Sequence, residues 1–349
     1  MKRLIYITQA AHPEHPALGV VLPQLRALAA RLDEIVIITA QAAPEVLPAN
    51  CRVRYFTART KLGRGLRFYR SYLPELARRP RAVLAHMCPI YAILAAPLAR
   101  PVGIRVVLWF SHWRRSLKLQ LAERLSTCVI SPYEGSFPLA SPKLVPIGHG
   151  IDLETFPCRN GAREHDGVLR ALALGRYADS KGFTTLLRAA RIAADRGLEF
   201  RLRIHGPVLT PGEREYRAEL ERLHDELRLD GIVELGDAVP RTQLPRLFDE
   251  SDVLINNMRR GSPDKVAYEA SAAGLPVLAS SPTFDELFSS FHFSFERDDP
   301  ESLADLLIKF SQLKADERRA IGMSLRARVE ELHSLEAWAD RVVAAAGLA

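Results

Sequence analysis

Short β-branched segments alternate with longer amphipathic segments along most of this chain, and this alternation limits the folds that it can adopt. In the first half, the pattern predicts strands at residues 4–8, 35–39, 52–56, 82–86, 106–110 and 128–131. The segments between them predict helices at residues 18–32, 65–77, 91–98 and 117–125. Strands that alternate with helices form βαβ units, which build parallel sheets with right-handed crossovers.

The same alternation begins again after residues 143–160, where Gly148, Gly150 and two prolines interrupt it. Glycine and proline at this density indicate a passage between domains. The second half predicts strands at residues 169–174, 201–205, 232–235, 253–256 and 277–279. It predicts helices at residues 182–195, 213–229, 244–248 and 265–273, and a helical tail from residue 300 to the end.

The predicted fold class is therefore α/β, with two Rossmann-like, doubly wound domains at residues 1–157 and 158–334. With 349 residues, of which 48% are hydrophobic, the chain can bury two cores of ordinary size. A last helix, at residues 335–349, is expected to pack back on the first domain. Open parallel sheets bind ligands at the carboxyl ends of their strands, so a central cleft that both domains face is the expected site.

The distribution of apolar residues and cysteines indicates a cytoplasmic protein. No window approaches about eighteen uninterrupted apolar residues, so no transmembrane helix is predicted. The apolar run at residues 4–8 is too short for a signal peptide. The four cysteines are scattered, without the close pair of a metal site or a redox motif. Reduced thiols and no bound metal are therefore expected.

Positive charge is concentrated in the first half of the chain. Residues 1–157 contain 21 Lys and Arg against 9 Asp and Glu, a net charge of +12, whereas the remainder has a net charge of −5. Much of the excess lies between Arg59 and Arg81, where basic residues are mixed with leucine, phenylalanine and tyrosine. This mixture suits an anionic membrane surface or a lipid phosphate; the alternative is a solvated basic face. No nucleic-acid-binding module accompanies the charge, so nucleic acid is not an expected partner.

Residues 261–281 (GSPDKVAYEASAAGLPVLASS) have the pattern of a loop, a helix, a stop and a strand. Asp264 is an acid at the helix start, where the exposed amides favour one. Gly274 stands where a left-handed cap belongs, and Pro276 prevents continuation of the helix. Such a unit can present backbone N–H groups to an anion while Glu269 faces the same opening. The alternative is an ordinary αβ unit with a solvent-facing glutamate.

A second motif, LALGRYADSKGF at residues 172–183, leads from a strand through a loop into a helix. Arg176, Lys181 and the helix N-terminus after Gly182 converge there, which suits a diphosphate. The glycine pattern is neither that of a Walker loop nor GxGxxG. Two cations on a surface loop are the alternative interpretation.

These motifs together resemble the GT-B glycosyltransferases of family 4, which belong to the glycosyl transferases group 1 and retain the anomeric configuration. The GR-x4-KG motif of this family matches Gly175, Arg176, Lys181 and Gly182. Its E-A-x-A-x-G-x-P-V motif matches Glu269, Ala270, Ala272, Gly274, Pro276 and Val277. Its interdomain motif matches Gly150, Ile151, Asp152 and Phe156. IHGP, with Gly206, and VELGDAV stand where the family has two further turns.

The resemblance implies roles for residues around a nucleotide-sugar donor. Arg176 and Lys181 would hold the diphosphate, and Glu269 would accept hydrogen bonds from the ribose hydroxyls. The backbone amides of Lys265 and Val266 would face the distal phosphate or the ribose. No metal and no further cofactor are expected.

Two histidines follow or end predicted strands of the first domain. His112, in VVLWFSHW, stands where the family has its acceptor-side histidine, which implies a place near the reaction centre. His86, in AHMCP, is the weaker candidate. A structural role is the alternative for either side chain.

The chain departs from the family pattern at two positions. The family usually has another glutamate, eight positions before Glu269, that contacts the transferred sugar; here the residue is Gly261. Asp264 and Lys265 lie close enough in sequence to replace it. The first loop keeps only Gly19 of the paired glycines that normally approach the donor phosphates.

The resemblance implies a retaining glycosyltransferase that moves a sugar from a nucleoside diphosphate sugar to an acceptor hydroxyl. A glycan or a lipid-linked molecule is the expected acceptor, as in cell-envelope polysaccharide or glycolipid synthesis. The expected location is the cytoplasm, with peripheral attachment at the inner membrane face. Two alternatives remain: a nucleotide-sugar epimerase with the same fold, and a non-catalytic protein that binds nucleotide sugars.

Overall fold

Contacts within the chain divide it into two units. The computed structural model describes residues 1–13, 18, 21–112, 114–159, 167–258, 264–288 and 293–349. One unit contains Met1–Gly150 and Leu332–Ala349, and the other contains Ile151–Glu331. The sequence placed the boundaries after residues 157 and 334. Ile151 and Phe156 belong to the second unit because both are completely buried in its hydrophobic core.

The first unit is built on a parallel sheet of seven strands. The unit contains nine strands among its described residues, seven of them in this sheet: β1 (Arg3–Ile7), β2 (Ala10–Ala11), β3 (Glu34–Thr39), β4 (Gln41–Ala42), β5 (Cys51–Tyr55), β6 (Ala82–His86), β7 (Arg105–Trp109), β8 (Cys128–Ser131) and β9 (Leu144–Pro146). The large sheet has the order β5-β3-β1-β6-β7-β8-β9, and β2 pairs separately with β4. The helices between the strands are α1 (Val21–Ala29), α2 (Lys61–Ala77), α3 (Pro89–Ala99) and α4 (Leu117–Leu125).

Both faces of this sheet are covered. Leu4 and Tyr6 on β1 point into one hydrophobic core, whereas Ile5 and Ile7 point into another. This division follows from the two-residue period of a strand, which sends successive side chains to opposite faces. A parallel sheet that is buried on both sides has the doubly wound architecture that the sequence predicts.

The second unit contains a parallel sheet of five strands with one core around it. The strands are β10 (Leu169–Leu174), β11 (Phe200–His205), β12 (Val233–Gly236), β13 (Val253–Asn256) and β14 (Val277–Ala279), in the order β12-β11-β10-β13-β14. The helices are α5 (Phe183–Asp195), α6 (Pro211–Glu226), α7 (Leu244–Asp249), α8 (Lys265–Ala272), α9 (Asp285–Phe288), α10 (Pro300–Ser311) and α11 (Ala315–His333). Because β10 lies between β11 and β13, the strand order reverses there, and loops from several strands meet at one edge.

The last helix, α12 (Leu335–Ala345), packs against α1 in the first unit. Trp338 is fully buried, and its ring centroid lies 5.1 Å from that of Trp109. Arg31 pairs with Glu336 at 2.6 Å and with Asp340 at 2.5 Å. The buried tryptophan anchors the helix, since exposed ion pairs of this kind contribute at most about 1 kcal/mol each.

Most predicted elements form within a few residues of their expected bounds, but one interpretation was incomplete. The segment at residues 143–160 was expected to be a connection only, yet it begins with β9 at the edge of the first sheet. The predicted cap of α8 is confirmed: Gly274 has φ +75°, and Leu275 N–H donates to the carbonyl of Ala270 at 2.9 Å.

Candidate active site

A pocket of about 180 Å³ lies at the carboxyl ends of the strands in the second unit. Its lining residues come from the loops after β10, β11 and β12 and from the starts of α7 and α8: Leu174, Gly175, His205, Gly206, Pro207, Ala238, Val239, Leu244, Asp264 and Val266. Three residues predicted to bind a donor, Gly206, Asp264 and Val266, are thus brought together in one pocket. Its location is the edge at which open parallel sheets bind ligands.

Two glycines allow the first two loops to approach each other closely. A Cβ atom on Gly206 would lie 1.7 Å from the carbonyl oxygen of Gly175, so a larger residue would push the loops apart. Gly175 has φ +152°, and a Cβ atom there would lie 2.4 Å from Cε of Lys181. The aliphatic part of Lys181 therefore passes directly over the Gly175 backbone.

Lys181 and Asp264 form the closest ion pair of these loops. Lys181 Nζ lies 2.6 Å from Asp264 Oδ2, and their side chains are only 15% and 13% exposed. The same carboxylate oxygen accepts a hydrogen bond from Asn256 Nδ2 at 2.7 Å. Asp264 precedes α8 as predicted, but its side chain makes no capping hydrogen bond to that helix. It binds the lysine instead, because the carboxylate points across to the loop after β10.

Arg176 is held by a carboxylate that the sequence analysis did not identify. Arg176 Nη1 donates to Glu213 Oε1 at 2.7 Å, while Glu213 Oε2 accepts from the backbone N–H of Leu209 at 2.7 Å. Glu213 is buried in the first turn of α6, whereas the Arg176 side chain is 56% exposed. The guanidinium is therefore fixed on one side and accessible on the other.

Glu269 is a buried carboxylate one turn into α8. Its Oε1 accepts a hydrogen bond from Arg241 Nη2 at 2.7 Å, and the Arg241 guanidinium lies 5.1 Å from the ring centroid of Phe156. Arg241 is 45% exposed, whereas Glu269 is 4% exposed. The sequence predicted the carboxylate but gave no reason to expect this arginine.

Lys265, the first residue of α8, has an altered protonation equilibrium. Burial lowers the pKa of its ammonium group to about 8, although the negative charges of Glu269 and Asp152 oppose this shift. The ammonium group is still mostly protonated at pH 7, and Lys265 begins the first turn of α8. Lys265 and Val266 therefore place positive charge and unpaired amide donors at the same helix end.

The two candidate histidines of the first unit have different surroundings. His112 follows β7 and is exposed; Arg114 N–H donates to its Nδ1 at 3.0 Å. Partial burial and the charge of Arg114 lower the pKa of His112. His86 is buried with Nδ1 3.2 Å from Thr8 Oγ1, and burial lowers its pKa to about 3. This neutral imidazole has the surroundings of a structural residue.

Two positions named in the sequence analysis, Gly19 and Gly261, lie outside the described residues. A larger groove, of about 630 Å³, lies at the opposite ends of β10, β11 and β12, and none of the predicted site residues line it.

Among the described residues, no cluster of three or more His, Cys, Asp or Glu suits a metal ion. No helix in that part of the chain is long and apolar enough to cross a bilayer.

Three polar partners of the site were missed in the sequence: Glu213, Arg241 and Asn256. Thr210 and Glu213 show the T-x-x-E pattern of a helix start, and Thr210 Oγ1 does accept from the Glu213 N–H at 3.3 Å. That pattern locates the helix but not the partner of its carboxylate. Asn256 ends a predicted strand, which was the available signal for it. The sequence offered no signal for Arg241, which begins a 3-10 helix of three residues.

The comparisons with known proteins agree with this geometry. Residues 159–327 match the family model described as "Glycosyl transferases group 1". This part of the chain is thus similar to the domain of that family. The predicted resemblance to this group is confirmed, whereas the narrower assignment to family 4 stays a prediction.

Two curated relatives each match part of the chain. WcaL of Escherichia coli (strain K12), a candidate colanic acid biosynthesis glycosyltransferase, is 26% identical over 190 residues, which are 52% of this chain and 45% of WcaL. D-inositol 3-phosphate glycosyltransferase of Streptomyces scabiei (strain 87.22) is 34% identical over 153 residues, which are 41% of this chain and 34% of that protein. The match thus spans less than half the length of either relative.

A solved structure resembles nearly the whole chain in fold. Anabaena HepE in complex with UDP and glucose has a TM-score of 0.74 and 16% sequence identity, with 99% of each chain covered. At this identity the likeness shows the fold alone. It confirms the predicted GT-B fold class.

Proposed function

We propose that this chain is a retaining glycosyltransferase that transfers a sugar from a nucleoside diphosphate sugar to an acceptor hydroxyl. The observation that carries the proposal is the pocket at one sheet edge of the second unit, where Lys181 pairs with Asp264 at the start of α8, the helix that carries Glu269. A diphosphate needs fixed cations and amide donors, whereas a ribose needs a hydrogen-bond acceptor. The site provides both kinds of group, and HepE, a protein with the same fold, was crystallised with UDP and glucose.

In the proposed reaction, the bond between the anomeric carbon and the diphosphate oxygen breaks, and a bond to the acceptor oxygen forms on the same face of the sugar. The acceptor proton passes to an oxygen of the departing diphosphate, so no protein base is required. Arg176 and Lys181 stabilise the charge that develops on this leaving group.

The carboxylates have a separate task in this proposal. A carboxylate next to phosphate would be repelled, so Glu269 binds the ribose hydroxyls. Asp264 is the carboxylate proposed to meet the transferred sugar, because Gly261 stands at the position of the usual glutamate. His112 is proposed to act near the acceptor hydroxyl. No metal or other cofactor is required by this division of roles.

A screen of nucleoside diphosphate sugars tests the donor site. A ligand at one hundred times its dissociation constant stabilises the folded protein by about 2.7 kcal/mol, which a thermal melt detects readily. The best donor should then be consumed only when an acceptor is added. Isomerised sugar without acceptor would instead show an epimerase, and binding without turnover across a broad acceptor panel would show a binding protein.

The acceptor is proposed to be a glycan or a lipid-linked molecule of the cell envelope. WcaL, which belongs by description to colanic acid biosynthesis, supports this class of product. The proposed location is the cytoplasm, with peripheral attachment at the inner membrane face through the basic segment from Arg59 to Arg81.

The placement of α2 supports membrane attachment. Phe68 and Tyr72 are buried beneath the helix, whereas Leu62, Leu66 and Leu73 are 77%, 65% and 47% exposed. Exposed leucines beside basic residues are typical of helices that lie in a membrane interface. Binding to vesicles with anionic lipid should weaken as salt rises, at about 1 kcal/mol per engaged cation. Equal binding to neutral and anionic vesicles would contradict attachment by charge.

A further inference from the structure

A groove of about 450 Å³ lies beside α2 in the first unit, far along the chain from the glycosyltransferase domain. It is lined by Arg54 and Tyr55 from β5 and by Arg67, Arg70, Ser71 and Pro74 from α2. The four helical residues have the spacing i, i+3, i+4 and i+7, so they form one face of α2. Since β5 is an outer strand of its sheet, the groove opens along the sheet edge.

Arg54 is held in position by a buried carboxylate beneath the groove. Its Nε and Nη2 donate to Glu75 Oε1 at 3.0 and 2.9 Å, and the Glu75 side chain is 1% exposed. Burial would raise the pKa of Glu75, but the hydrogen bond from Arg54 and the charges of Arg52 and Arg3 outweigh it and lower the pKa. Glu75 therefore remains ionised and orients Arg54.

The rest of the groove is held together by hydrogen bonds and carries more positive charge than this carboxylate balances. Ser71 Oγ donates to the Tyr55 carbonyl at 2.8 Å, and Arg67 Nη1 donates to the Thr57 carbonyl at 2.7 Å. These bonds tie α2 to the end of β5. Within the described part of the chain, no carboxylate pairs with Arg70. Three guanidinium groups thus surround a space that holds no carboxylate of its own lining.

The exposed leucines of α2 lie on the face next to this groove. Leu62, Leu66 and Leu73 follow the spacing i, i+4 and i+11, which keeps them on one stripe of the helix. If this stripe enters a membrane interface, the groove is held at the depth of the lipid head groups.

We propose that the groove binds the phosphate monoester of a membrane lipid. A phosphate monoester carries about two negative charges and three acceptor oxygens, which match several guanidinium groups with paired N–H donors. A carboxylate or a phosphodiester offers less charge and fewer oxygens. This inference rests on the proposed membrane attachment of α2 but not on sugar transfer.

Vesicle sedimentation with two anionic lipids tests the groove. Phosphatidic acid provides the monoester, and phosphatidylserine, at the same total lipid charge in phosphatidylcholine, provides the control. The wild-type protein should bind phosphatidate vesicles about tenfold more tightly. Inorganic phosphate should release it from them more effectively than chloride at equal ionic strength, because free phosphate has the same chemistry.

A matched pair of variants distinguishes binding in the groove from general electrostatic attraction to the vesicle surface. Arg70→Gln and Arg59→Gln remove the same charge from the same basic segment, but only Arg70 lines the groove. Arg70→Gln should abolish the preference for phosphatidate, whereas Arg59→Gln should weaken binding to both vesicles slightly and equally. Equal losses of phosphatidate binding in the two variants would overturn the proposal that the groove binds the phosphate monoester. Equal wild-type binding to both lipids would overturn it as well, while leaving the membrane attachment intact; binding to neither would reject both.

Discussion

The two units differ in how many carboxylates accompany their positive side chains. At the sheet edge of the second unit, each of three cations meets its own carboxylate: Arg176 with Glu213, Lys181 with Asp264, and Arg241 with Glu269. In the first unit, Arg54 shares Glu75 with Arg3 and Arg52, which also pair with Glu34, while Arg67 and Arg70 line the same groove. One site is balanced in charge, and the other carries an excess.

This difference affects how each surface can bind an anion. In the balanced site, a phosphate must compete with a carboxylate already 2.6 to 2.7 Å from each cation, so geometry has to supply the selectivity. The excess charge of the first unit can attract an anion directly and from a distance. Binding there should be more sensitive to salt, because exposed charges are screened over about 8 Å at physiological ionic strength.

The largest expected effect comes from breaking a balanced pair. Lys181→Ala should lower turnover by about 10²- to 10³-fold, because the cation stabilises charge on the leaving diphosphate. It should also reduce stability, since Asp264 is left as a nearly buried charge without its partner. Initial-rate kinetics and thermal unfolding measure the two effects separately.

The double variant Lys181→Ala with Asp264→Asn is the control for this experiment. It removes both charges, so stability should recover while turnover stays low. Because Asp264 is itself proposed to contact the sugar, Asp264→Asn alone is assayed beside it; a double variant as active as Asp264→Asn would show that Lys181 serves only the fold.

His112 tests whether the first unit provides more than a basic surface. His112→Ala should reduce turnover by about 10²-fold, because it removes a side chain proposed to position the acceptor hydroxyl, with nearly unchanged affinity for the donor. His86→Ala should instead lower the unfolding temperature, because His86 is buried between aromatic side chains. Normal turnover in the His112 variant would assign His112 a structural or surface role.

Glu269 tests the division of roles inside the balanced site. Glu269→Gln should weaken nucleoside monophosphate and nucleoside diphosphate by a similar factor of about ten or more, because both ligands carry the ribose. Lys181→Ala should weaken mainly the diphosphate. Isothermal titration calorimetry with the two ligands measures both ratios. A Glu269 variant that loses affinity only for the diphosphate would place the carboxylate near the phosphates and not at the ribose.

The smallest expected effect is a dependence on pH. Lys265 has a pKa lowered to about 8, so its positive charge is present at pH 7 and is lost as the pH rises through that value. Affinity for a nucleoside diphosphate should therefore fall three- to tenfold between pH 7 and pH 9. Lys265→Gln should bind weakly with a flat profile over this range. The same slope in both proteins would exclude Lys265 as its cause.

Much of the fold follows from the sequence because periodicity is a local property. The two-residue period of β1 and the glycine at the end of α8 depend on nearby residues, and both were predictable. The strand β9 was not, because its three residues include Pro146 and lie in a glycine-rich connection. Its pairing with β8 comes from the sheet edge that is available to it, which no local pattern reveals.

The candidate site was likewise only partly predictable from the sequence. Parallel topology brings the loop of Lys181 and the start of α8 to one edge, so a sequence argument can place them together. It cannot show that Lys181 meets Asp264, 83 positions away, or that Arg241 meets Glu269. Those contacts depend on side-chain directions in the folded unit. The pairings were therefore missed: Lys181, Asp264 and Glu269 were each predicted as single residues, whereas Glu213 and Arg241 were not.

The contact between Gly175 and Gly206 has a consequence for redesign of this protein. Part of the pocket floor is bare main chain, and a Cβ atom at Gly206 would lie 1.7 Å from the opposite carbonyl oxygen. An engineer who wants a different donor therefore cannot reshape this floor by exchanging side chains. The positions that remain adjustable are the side chains of Ala238, Val239 and Leu244, which line the same pocket.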